Sequence, residues 1–93
     1  MTINLSQHAK IRMQQRGIPE RALSLLLEYG NSEFDHRGTR VIYFSRARKK
    51  MLEAELQKSE LKRVESALNA YMVVSAKDEV VTVGHRTRRI NRC

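Results

Sequence analysis

The chain has 93 residues, enough for one small domain and one core, and its apolar fraction of 41% lies above the disordered regime. Eighteen Lys and Arg against ten Asp and Glu give a net charge of +8 and a pI near 10.3, which excludes an acidic solvating tail and favours an anionic partner. The excess is mainly arginine, whose planar fork suits phosphate better than a lysine point charge.

Ser6 is placed to cap a first helix over Gln7 to Arg16, and Gly17 is the expected left-handed stop. Ile18 follows as the apolar residue that folds back. Pro19 suits the first turn of a second helix, Glu20 suits its positive dipole end, and Gly30 ends it. Ala22, Leu23, Leu26 and Leu27 keep helical spacing, so residues 7–30 read as a helical hairpin turning at Gly17–Ile18.

Residues 31–37 read as a weak edge strand with Phe34 as its apolar anchor, and Gly38 marks a turn. Thr39 to Phe44 is rich in β-branched and aromatic residues and predicts the partner strand of a hairpin. Residues 45–70 have helical composition without Pro or Gly, and the spacing favours two helices broken near Ser59 over a single rod. Tyr71 to Ala76, a turn at Lys77–Asp78, and Glu79 to His85 predict a second hairpin. Strand alternation would put Val81, Val83 and His85 on one face, with Thr82, Gly84 and Arg86 on the other. This order of elements predicts an α+β domain spanning 1–93, in which an N-terminal helical hairpin packs on a small antiparallel sheet.

Several chemistries lack their residues. The lone cysteine, Cys93, offers neither a disulfide framework nor a Cys-x-x-Cys site, and the three histidines lack metal-ligand spacing. The four glycines are too dispersed for a phosphate-cradling loop, and no cofactor is called for. Aromatics are few, which argues against a platform for stacking single strands. The longest apolar run, Ala70 to Val74, is far too short to span a bilayer, and Met1 to Lys10 shows no signal-peptide core. A cytoplasmic protein with no membrane partner is the expectation.

Two basic clusters remain. His8, Arg12 and Arg16 stand at i, i+4 and i+8 and project from one side of the first helix. Two guanidiniums can neutralise a phosphodiester while an imidazole moves a proton near neutral pH. The same residues also fit a solvated stripe whose arginines pair with Glu20, Glu28 or Asp35. The second cluster closes the last strand, where His85 and Arg86 precede a tail carrying Arg88, Arg89 and Arg92. His36, beside Asp35, reads as a turn residue.

The run His8-Ala9-Lys10-Ile11-Arg12-Met13-Gln14-Gln15-Arg16-Gly17-Ile18 resembles the signature of a large, uncharacterised family of small bacterial and phage domains. Its pattern is His, three residues, Arg-Met, two residues, then Arg-Gly-Ile. The ending Val80-Val81-Thr82-Val83-Gly84-His85-Arg86 is similar to that family's closing strand, so the two matches bracket most of the chain. The family is distantly similar to RelE- and BrnT-type toxins, among which are ribonucleases that cleave by transesterification with basic groups on the sheet.

The resemblance implies a RelE/BrnT-like domain acting on RNA as a metal-independent ribonuclease, with a nucleic-acid partner and an antitoxin-like protein partner. It carries over His8, Arg12, Arg16, Gly17 and Thr82. In this reading His8 or His85 transfers protons and Arg12 and Arg16 carry phosphate charge. Arg86, Arg88 and Arg89 extend that surface, and Tyr43 or Thr82 positions the phosphate. The 45–70 segment departs from compact toxins as a helical insertion between the central strands. The alternative is a non-catalytic domain of the same fold that binds nucleic acid or, through that insertion, a protein.

Overall fold

Local capping chemistry sets most of the element boundaries. The computed structural model describes residues 3–35 and 37–85. In chain order these form α1 (Gln7–Arg16), α2 (Glu20–Tyr29), β1 (Asn31–Phe34), β2 (Arg40–Tyr43), α3 (Arg46–Glu55), α4 (Lys58–Val64), a 3₁₀ turn at Glu65–Ala67, β3 (Ala70–Val74) and β4 (Val80–His85). The fold is α+β, with the helical pair at the N-terminus as the sequence leads one to expect.

Ser6 does cap α1, its hydroxyl accepting from the Ala9 N–H at 3.0 Å and donating to the Val81 carbonyl at 3.2 Å. Gly17 takes the left-handed conformation at φ 67°, ψ 36°, and the Ile18 N–H closes on the Met13 carbonyl at 2.9 Å. Pro19 lies one residue earlier than expected. Its ψ of 154° is extended, so it flanks α2 rather than joining its first turn, and its carbonyl accepts the Ala22 N–H at 3.0 Å. Gly30 stops α2 for a steric reason: a Cβ there would fall 2.5 Å from the Leu26 carbonyl oxygen and 2.7 Å from Ile42 Cγ2.

The sheet is an antiparallel meander in the order β1-β2-β3-β4. Helices α3 and α4 connect its two central strands, β2 and β3. The break between them falls at Leu56 and Gln57, whose ψ values of 147° and 153° are extended, and not at Ser59, which lies inside α4. Leu52 is fully buried and Leu56 packs against the core, so the chain bends where both side chains reach inward.

α1 packs along β4, while α2 lies over β2 and β3. Their inward faces meet the same side of the sheet in one cluster that includes Ala9, Leu23, Leu26, Ile42, Leu52, Val64, Met72 and Val83. Among the described residues, no polar or charged side chain is buried. Phe34, expected to anchor β1, is instead 67% exposed, because β1 is an edge strand that the helical layer does not cover.

β4 contains a register irregularity. Val74 pairs with Val80 and Val73 with Thr82, which leaves Val81 as an extra residue. The alternation therefore restarts after Val81. Val80, Val83 and His85 share the helix-covered face, opposite Val74, Met72 and Ala70, while Thr82 and Gly84 face the other way. Val81, expected beside Val83 and His85, is displaced from that set by the bulge.

Candidate functional site

The second face of the sheet lies opposite the helical layer. Register places Tyr43, Tyr71 and Gly84 in one cross-strand row, with Val41, Val73 and Thr82 in another. Tyr43 sits directly opposite Tyr71 on the neighbouring strand, and its hydroxyl donates to Glu33 Oε2 at 2.7 Å. Glu33, Val41, Tyr43 and Tyr71 line a shallow depression of about 270 Å³.

Gly84 explains how the row closes. A Cβ on it would lie 3.0 Å from both Cε1 and Oη of Tyr71, so the Tyr71 ring leans across the β4 backbone where a side chain is missing. Sequence reasoning did not single out Tyr71. The available signal was a glycine inside an otherwise regular strand, which marks close approach of another group. The expectation that aromatics are too few for stacking thus meets a pair of tyrosines on one open face.

α1 lies on the helix-covered side of the sheet, packed along β4. Residues 3–6 run parallel to β4, with Ser6 N–H on the Val80 carbonyl at 2.9 Å and Val80 N–H on the Asn4 carbonyl at 2.8 Å. Ala9 is the innermost residue of α1, and Met13 packs into the core on one flank. Helical geometry puts His8 and Arg12 on the other flank of Ala9 from Met13. His8 and Arg16 are exposed and Arg12 is half-buried.

Among the described residues the ion pairs are Arg21–Glu60 and Arg40–Asp78. Arg12 and Arg16 pair with none of Glu20, Glu28 or Asp35, the carboxylates that a solvated stripe would use. Arg16 stands in the last turn of α1, where a cation complements the helix dipole. Arg12 has no such structural use.

The predicted residues separate by face. Tyr43 and Thr82 share the open face, two strands apart. His85 is half-buried on the helix-covered face of β4. His36, Arg86, Arg88, Arg89 and Arg92 lie outside the described residues. Among the described residues, no cluster of three His, Cys, Asp or Glu is arranged to hold a metal ion, and no helix is long and apolar enough to cross a membrane.

Comparison with known proteins returned no match to any family model, curated protein or solved structure.

Proposed function

We propose that this chain is a RelE/BrnT-like domain that binds RNA and cleaves it by metal-independent transesterification. The observation that carries the reading is Arg12: half-buried on α1, the helix that packs along β4, and without a carboxylate partner among the described residues. An unpaired guanidinium beside a sheet face is poised for an external anion. The net charge of +8 makes a polyphosphate the natural one.

In the proposed reaction an RNA 2′-hydroxyl attacks the adjacent phosphorus. The bond to the 5′-oxygen breaks and that oxygen takes a proton from solvent water, leaving a 2′,3′-cyclic phosphate and a 5′-hydroxyl. His8 takes the 2′-proton, Arg12 and Arg16 stabilise the charge that builds on the phosphoryl oxygens, and Tyr43 or Thr82 positions the strand. His85 faces the other side of β4 and is the weaker candidate for proton transfer.

That same placement favours a second reading. With His85 turned to the helix side, His8 is the one described imidazole on the Arg12 flank, which suits a domain that binds RNA without cutting it.

End-labelled RNA incubated in a chelator with wild type, His8→Ala and Arg12→Ala distinguishes the readings. Cleavage to cyclic-phosphate ends, lost in His8→Ala at unchanged melting temperature, is the expected result. Binding without cleavage, weakened by Arg12→Ala alone, selects the second reading. A wild type that neither binds nor cuts, with Arg12→Ala only melting earlier, sinks both.

A further inference from the structure

The meander has two chemically different ends. At one, the turns β1–β2 and β3–β4 carry Asp35, Arg37, Lys77, Asp78 and Glu79, a mixed and nearly balanced set. At the other, β2 ends at Tyr43, β3 begins at Ala70, and β4 ends at His85. There the chain leaves the sheet into α3 with Arg46, Arg48, Lys49 and Lys50, four cations within five residues.

We propose that Arg46 and Lys50, exposed on one side of α3, form a second surface for the RNA backbone on the helical insertion, with Arg48 and Lys49 adding to the local positive field. This rests on the RNA-binding reading and adds to it a site outside α1. Stability does not account for the cluster. The first turn of α3 holds no acidic residue, and cations there oppose the helix dipole. None of the four makes an ion pair among the described residues. Lys49 donates to the neutral Asn69 Oδ1 at 2.7 Å, and Arg48 points at the Met51 sulfur at 3.5 Å. Arg46 and Lys50, at i and i+4, are both exposed on one side of the helix.

Position supports a nucleic-acid occupant. Ser45, whose hydroxyl accepts the Arg48 N–H at 3.2 Å, is two residues beyond Tyr43, so α3 begins where the tyrosine row ends. From Gly84 to Tyr43 is two strand spacings, about 10 Å, a distance a short single strand covers easily. An acidic protein would need an apolar anchor among the cations, and Met51, 40% exposed, is the large apolar residue nearby on α3. Polyphosphate needs the cations alone.

The test uses the full chain and a fluorescent single-stranded RNA 12-mer titrated across a range of salt. The Arg46→Ala/Lys50→Ala variant is compared with Arg37→Ala/Lys77→Ala, which removes equal charge at the opposite end of the sheet. Loss of two phosphate contacts should flatten the log–log salt slope by about 1.4 and weaken binding on the order of tenfold, with no change for the turn-end variant. The α3 variant should melt no lower than wild type. Equal effects in the two variants, or none in either, overturn the proposal while persistent His8-dependent cleavage leaves the RNA-acting reading intact. RNA binding that needs α3 but never leads to cleavage supports the surface and removes the catalytic claim. Polyglutamate bound through α3 more tightly than RNA assigns the surface to an acidic protein and overturns the proposal, and a wild type that fails to bind RNA overturns it together with the reading beneath it.

Discussion

Single residues carry the clearest link from sequence to structure where the chemistry is local. Ser6 was readable as a cap because the hydroxyl, the helix start and the left-handed Gly17 all lie within twelve residues. Its second bond, to the Val81 carbonyl, could not be read, because it joins residues 75 positions apart. Ser6→Ala should therefore cost more than an ordinary cap, about 2 kcal/mol in denaturant unfolding. Gly84→Ala should push the Tyr71 ring off β4. In a Tyr71→Ala background the three atoms nearest that methyl are gone, so a double-mutant cycle should show coupling of about 1 kcal/mol. Tyr29 gives a pH expectation. Its phenol is raised above 10.0, first by desolvation and then by Glu28, Glu55 and Glu60 against Arg21. A raised acid favours the protonated form in the fold, so its stabilisation is whole below pH 10 and lost as pH climbs through the raised value. Tyr29→Phe should flatten that alkaline loss, as followed by unfolding midpoints at successive pH values.

Elements were legible where one face of the pattern sufficed, and illegible where a partner strand decided. The β-branched run at 39–44 needed no context to read as a strand, and the composition of 45–70 was enough for helix. The bulge at Val81 depends on how β4 meets β3, and that register shift reassigned the residue to a different position on the sheet. Phe34 misled for the same reason. Its segment was readable as an edge strand, but Phe34, read as the anchor of that strand, lies exposed beyond the helical layer. The α3–α4 break was anticipated, though Ser59 was the wrong residue: the bend is driven by Leu52 and Leu56 reaching the core, and Gln57 flanks α4 without a side-chain cap. Gln57→Asp supplies that missing acceptor beside the positive end of α4. It should raise stability by about 0.5–1 kcal/mol in urea unfolding, whereas Ser59→Ala should be nearly neutral.

At the scale of the whole molecule, charge and architecture divide the labour. All described helices that feed the core do so from one side of the sheet, which leaves the opposite face to Tyr43, Tyr71 and Thr82. The net charge of +8 was plain in the composition, but composition cannot say where the cations of α1 lie, because the placement of the chain's start beside β4 depends on the parallel pairing of Leu5 with Val80. Excess positive charge costs self-repulsion in the fold, and a polyanion relieves it. Binding should therefore follow counterion release. If about four phosphates are neutralised, the log–log salt slope on single-stranded RNA should lie near −3. Deleting residues 88–93 removes Arg88, Arg89 and Arg92 and leaves every described core residue in place, so affinity and slope should both fall while the unfolding midpoint holds. Adding salt supplies the distinguishing measurement, since it screens long-range attraction but leaves apolar burial nearly untouched. An affinity that stays constant from 50 mM to 200 mM salt would exclude phosphate neutralisation as the source of binding, whatever surface the RNA occupied.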